Sequence, residues 1–215
     1  AWFQMWGTTN VIDKPITMYG GSRFWTGSGS EANDRIGSTV ILTNGLVMVD
    51  LDGANQWSLY GTVEGNGGLR TIDTGTLRIS GTNTFTGATV AGAGTIVLQT
   101  NAWLNGTAAI STMGSGRMYL DKFRYNNPDM IADGTPYAPA GGTFYLQGAD
   151  AATSTETLGA MTLLGGPTTI TVQNGTNTAS SALFFGGFAR EQGVVNFTYA
   201  GDGTLGAGST NSSDP

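Results

Sequence analysis

Apolar and polar residues alternate in this chain in runs of only four or five, and a glycine opens most of the runs. Gly75-Thr76-Leu77-Arg78-Ile79, Gly94-Thr95-Ile96-Val97-Leu98, Gly116-Arg117-Met118-Tyr119-Leu120 and Gly142-Thr143-Phe144-Tyr145-Leu146 share one form: glycine, a polar residue, then apolar, variable, apolar. Alternation with a period of two over so short a span marks a β-strand with one buried face. It sends Leu77, Ile79, Ile96 and Leu98 inward and Thr76, Arg78, Thr95 and Val97 outward. The runs start 19, 22 and 26 residues apart (75 to 94, 94 to 116, 116 to 142). Recurrence at such a spacing is the mark of a repeat architecture, here a solenoid in which each turn gives one strand to each of several parallel sheets. Further short strands are expected at residues 39–42, 46–49, 57–60, 88–90, 161–164, 169–172, 182–185 and 194–197.

The predicted fold is therefore all-β: a right-handed parallel β-helix running as a single segment over residues 1–215. At roughly 20–25 residues per turn it would have about nine turns and form a rod some 40 Å long. The alternative is a β-sandwich, which also uses short strands separated by turn signals. Residues 122–140, with Pro128, Pro136 and Pro139, are expected to form a loop excursion. Asn-Gly pairs at 66–67, 105–106 and 174–175 are expected to supply left-handed backbone at corners.

Composition narrows the chemistry. Charged residues make up 11% and hydrophobic residues 39%, with 35 glycines, which argues against disorder and against helix. A net charge of −6 disfavours a phosphate-neutralising surface, so no nucleic-acid partner is expected. There is no cysteine, hence no disulfide framework or thiolate metal site. The absence of histidine removes the commonest general base and the Ser-His-Asp route. No run of residues is apolar enough for a membrane-spanning helix, so this segment is not expected to insert directly into a membrane. The polar stretch 208–215 should fray if free, so the sequence reads as an ordered piece of a longer chain or assembly.

The stretch from Gly65-Asn66-Gly67-Gly68-Leu69 through Thr74-Gly75-Thr76-Leu77-Arg78-Ile79-Ser80-Gly81-Thr82-Asn83-Thr84-Phe85-Thr86-Gly87-Ala88-Thr89-Val90 to Gly94-Thr95-Ile96-Val97-Leu98 resembles the autotransporter-associated β-strand repeat. The likeness covers about one repeat, residues 65–98. It departs from the pattern at Phe85, where tyrosine is usual, at Ala88, where glycine is usual, and at Gly92-Ala93, which lengthen a turn. A weaker likeness runs from Thr155 to Phe197. The resemblance implies a parallel β-helix in a passenger-type or giant surface protein of a Gram-negative-type bacterium. It brings no catalytic residues.

Two places invite chemistry. Asp50-Leu51-Asp52-Gly53-Ala54-Asn55 offers alternating oxygen ligands and a glycine turn, a fragment of a calcium site with Asp50, Asp52 and Asn55 as ligands. It lacks the closing glutamate, and a plain strand end is the competing reading. The same aspartates, about 7 Å apart along a strand, could also be a glycoside-cleaving pair, although no Lys or Arg lies near them in sequence. Trp2, Trp6, Trp25 and Trp57 fall in the first 57 residues of the chain and could stack sugars or dock a partner; otherwise they cover the core. The expected role is structural or adhesive and not enzymatic: part of an extracellular fibre, stalk or surface layer. Self-association with adjacent segments and contact with surface glycans are its expected partnerships. A polysaccharide-active β-helix enzyme and a phage tailspike-like trimeric fibre are the alternatives.

Overall fold

The structure, a computed structural model, describes residues 1–5, 10–26, 33–177 and 180–200. Within them every regular element is a strand and every strand pairing is parallel. A sandwich needs antiparallel neighbours, so that alternative is excluded. The chain instead winds as a β-helix of about 8 turns. The nine expected were reckoned over all 215 residues, whereas these turns lie within the described ones.

The first turn holds β1 (Trp2–Met5), β2 (Val11–Ile12) and β3 (Ile16–Tyr19), and the second holds β4 (Arg23–Thr26), β5 (Asn33–Ile36) and β6 (Val40–Thr43). The third has β7 (Leu46–Leu51), β8 (Gln56–Leu59) and β9 (Val63–Gly65), and the fourth has β10 (Gly68–Thr71), β11 (Thr76–Ile79) and β12 (Thr82–Asn83). Then come β13 (Thr89–Ala91), β14 (Thr95–Leu98) and β15 (Trp103–Leu104). Beyond them strands run through corners: β16 (Ile110–Asp121), β17 (Ala140–Gln147), β18 (Ser154–Leu163), β19 (Pro167–Gln173), β20 (Ser181–Arg190) and β21 (Val194–Ala200). Face one stacks β1, β4, β7, β10, β13 and the start of β16. Face two stacks β2, β5, β8, β11, β14, the end of β16, β17, β19 and β21. Face three carries β3, β6 and β9, then the pair β12–β15.

The glycine-led runs pair as their spacing requires. Thr76 lies beside Thr95, Thr95 beside Arg117, and Arg117 beside Thr143. Registry piles like positions into columns. On face two Trp57, Leu77, Ile96, Met118, Phe144 and Ile170 form one buried inward column. Each such side chain contributes about 1.5–3 kcal/mol relative to exposure. Val97 keeps its outward assignment but not its expected exposure. It faces away from the core yet is buried, because long Arg78 and Tyr119 flank it on the adjoining turns.

The Asn-Gly corners work differently from expectation. None of residues 66–67, 105–106 or 174–175 has positive φ. Their glycines are needed for close approach: a Cβ on Gly106 would sit 2.7 Å from the Thr84 carbonyl oxygen of the turn below. Real Cβ atoms do not come that close, so these corners accept only a residue without one.

The repeat-like segment also acquires a physical reading. Asn83 is buried at the corner after β11, its Oδ1 accepting from the Val63 N–H of the turn below at 3.0 Å. Its Nδ2 donates to the carbonyls of Ser80 and Gly81. Phe85 follows inward, fully buried.

Residues 122–140 hold no strand before Ala140, yet they do not swing clear of the stack. Met130, Ile131 and Tyr137 are buried, and Ile131 and Tyr137 bridge to Leu104 and Ile110. Lys122 is fully buried and ion-pairs with Glu156 at 2.5 Å. Its ammonium also donates to the carbonyls of Pro128 and Thr155, while Glu156 accepts from the N–H groups of Met130 and Ile131. This polar pin ties the long corner to the next turn.

Lys122→Met should cost about 3–5 kcal/mol in urea unfolding, since it leaves the Glu156 carboxylate buried and unpaired. Adding Glu156→Gln keeps an acceptor for both N–H groups and should recover most of the loss. Burial already pushes the Glu156 carboxyl up, against the pull of Lys122. The deficit of the single variant should therefore shrink as the pH falls toward the ordinary carboxylate range, where Glu156 takes a proton.

Candidate functional site

Strand β7 ends on face one with alternate residues turned out. Val47, Val49 and Leu51 enter the core, which leaves Asp50 and then Asp52 on the outer side. The next turn leaves β10 at the same height and brings Asp73 alongside. Asp50, Asp52 and Asp73 each present a carboxylate oxygen within 4.8 Å of the others. The backbone around them is tied: Gly53 N–H donates to Thr74 Oγ1 at 3.0 Å, and Thr74 N–H donates to Asp73 at 2.6 Å. Asn55 is buried and closes the turn, its N–H donating to the Asp52 carbonyl at 3.0 Å and its carbonyl accepting from Thr76 N–H at 2.9 Å.

The turn before supplies a cation. Arg23 on β4 ion-pairs with Asp50 at 2.8 Å and lies over the ring of Trp2, 5.6 Å from its centre. Trp2 meets Trp25 edge-on with ring centres 6.0 Å apart. One outer face thus carries, turn by turn, a tryptophan pair, an arginine and three carboxylates.

The charges are mutually dependent. Asp52 and Asp73 are hydrogen-bonded to each other, which raises the Asp52 carboxyl above its usual range and lowers that of Asp73. Burial raises Asp50, and Arg23 opposes the rise. Three carboxylates held this close repel one another unless a proton or a cation lies among them, and oxygen ligands of this type suit Ca²⁺. Asp50, Asp52 and Asp73 are the residues that could hold it.

The tryptophans separate into two groups. Trp2 is 70% exposed and Trp25 is partly exposed, so these two form the outer patch. Trp57 was a candidate surface residue, but it is fully buried: it turns inward and packs against Phe24 at 5.0 Å and Phe3 at 6.1 Å. Trp6 lies outside the described residues. Two members of the site escaped sequence reasoning, Arg23 and Asp73. The signal was nonetheless present, because Asp73 follows Asp52 by one turn's length.

Comparison with family models, with curated proteins and with solved structures returns no match for this chain. Among the described residues no helix is long and apolar enough to cross a membrane.

Linkage gives the acidic site a testable sign. A raised carboxyl stabilises the fold while protonated and loses that contribution as the pH rises. In chelator, the stability contributed by the raised Asp52 carboxyl should therefore be lost as the pH rises through its titration, while the contribution of the lowered Asp73 carboxyl is lost as the pH falls. Millimolar Ca²⁺ at neutral pH should restore the stability lost at Asp52. Asp52→Asn mimics the protonated partner, so it should abolish both that loss and the Ca²⁺ response. A wild-type midpoint indifferent to Ca²⁺ would remove calcium from consideration.

Proposed function

We propose that this chain is a non-catalytic structural segment of an extracellular fibre, stalk or surface layer, joined end to end to neighbouring segments of the same kind. One observation carries the reading. Phe188 and Phe197 occupy the inward columns below Met161 and Ile170, both of which are buried. Yet Phe188 is 57% exposed and Phe197 48%. The apolar core of the β-helix therefore opens at its last described turn. Among the described residues β20 and β21 also pair with only one neighbour each, β18 and β19. An open parallel edge over an open core is a template for another turn of the same geometry. The resemblance of residues 65–98 to a repeat of bacterial surface proteins supports an outer-surface location in a Gram-negative-type cell.

Sedimentation velocity and negative-stain imaging test this. The full chain should form concentration-dependent rods one β-helix wide, and Phe188→Lys or Phe197→Lys should keep it monomeric. Tyr60→Lys, a change to an exposed side position, should have no effect. A monomer at every concentration, or a closed trimer with its axis along the rods, would refute the proposal, and the trimer would favour the tailspike-like alternative.

A second reading has its own support. The fold brings Arg23 to the carboxylate group, supplying the basic residue that the local sequence lacks. This is the constellation expected of a polysaccharide-active site. Incubation with acidic and neutral polysaccharides, with and without Ca²⁺, decides it. The structural reading expects no new chain ends, and release abolished by Asp52→Asn would establish an enzyme.

A further inference from the structure

A second concave site lies on face three, away from the aspartates. It is an open groove of about 440 Å³ where the short sheet β12–β15 meets the start of the long corner. Two aromatic side chains form its walls, Trp103 on β15 and Tyr125 on the corner, 37% and 51% exposed. Both are large apolar rings held in the open, and this segment of the chain gives them no packing partner ring among the described residues.

The polar lining divides into two roles. Asn126 and Asn127 hold the corner in place. Asn126 donates to the Thr153 carbonyl at 3.0 Å and accepts from Ser154 Oγ at 3.0 Å. Asn127 donates to the Ala102 carbonyl at 2.8 Å and accepts from Asp129 N–H at 3.3 Å. Beneath them the buried Lys122 holds the Pro128 carbonyl. The groove is therefore built on fixed backbone, as a preformed site should be. The Asn101 amide, the Trp103 indole N–H and the Tyr125 hydroxyl form no hydrogen bond with other described residues, so they remain available to a ligand. No charged side chain lines the groove.

We propose that this groove binds a neutral glycan, with a pyranose ring packed against Trp103 and Tyr125 and its hydroxyls bonded by Asn101. The chemistry of the lining selects this ligand. A pyranose has an apolar face of C–H groups that packs on an aromatic ring and a rim of hydroxyls that both donate and accept. A side-chain amide offers both functions at once. The lack of charge disfavours uronic-acid chains, sialylated glycans and phosphate. The volume falls within the range of small-ligand sites. A proline-rich peptide would also stack on exposed aromatics, but proline has no N–H to donate, so it would leave the Asn101 carbonyl oxygen without a donor. This assignment gives a ligand to the extracellular segment proposed above and rests on that reading only for its setting. The binding test probes face three, whereas the assembly test probes the end of the rod.

Saturation-transfer NMR and tryptophan fluorescence, run on the full chain with cellohexaose, mannohexaose and galactotetraose, test the proposal. At least one of these neutral probes should bind, and Trp103→Ala and Asn101→Ala should each weaken it by about tenfold or more. Trp25→Ala should leave binding unchanged, and Tyr125→Phe, which keeps the ring, should weaken it less than Tyr125→Ala. Circular dichroism of each variant separates lost binding from lost folding. The proposal is overturned if none of the three probes binds, if Trp103→Ala binds as well as wild type, or if a decaproline peptide or an oligogalacturonate competes on equal terms.

Discussion

The structure depends on one constraint: each turn must present its backbone N–H and C=O groups in register with the turn below. An isolated turn of this sequence would bury almost nothing and leave its main chain unpaired. Stacked at the spacing of parallel strands, the turns satisfy one another and close a continuous apolar column at the same time. The side-chain columns, the glycine corners and both candidate sites follow from that registry. Arg23 meets Asp50, and Asp73 meets Asp52, only because consecutive turns lie at the same azimuth.

This explains which features were legible in advance. The alternating runs beginning at Gly75, Gly94, Gly116 and Gly142 carry both strand type and turn length, so architecture and register could be read together. Leu77, Ile79, Ile96 and Leu98 all enter the core as their alternation requires. Val97 points outward as its alternation requires, but its burial was not legible, because burial on an outer face depends on the size of neighbours a whole turn away. Trp57 was not legible as a core residue either. It lies in the same inward column as Leu77, but the clustering of tryptophans in sequence masked that phase. Asp50 and Asp52 were legible as a pair, while their third carboxylate and their cation sit on other turns and had no local signal. The groove at Trp103 was invisible for the same reason, since its walls come from segments that only the winding brings together.

Polar groups inside the stack obey a complementary rule. A parallel β-helix has little room for charge, yet Lys122 and Glu156 are fully enclosed. Lys122 sits where the chain leaves the strand pattern for a long corner, Glu156 reaches that corner from β18, and there the Pro128 carbonyl and the Met130 and Ile131 N–H groups have no backbone partner among the described residues. The ion pair supplies those partners. Asn83 does the same on a smaller scale at the end of β11.

Turn length is the feature with the widest consequence. Equivalent positions on face two are separated by 19 residues between Thr76 and Thr95 but by 27 between Thr169 and Asn196, and the ladder is unbroken. Extra residues are absorbed at corners and leave the axial order intact. A lineage can therefore elaborate one edge of such a rod by insertion while its length and stiffness stay as they were, and kinship between distant members would survive in the spacing of buried columns long after any fixed-length motif had dissolved.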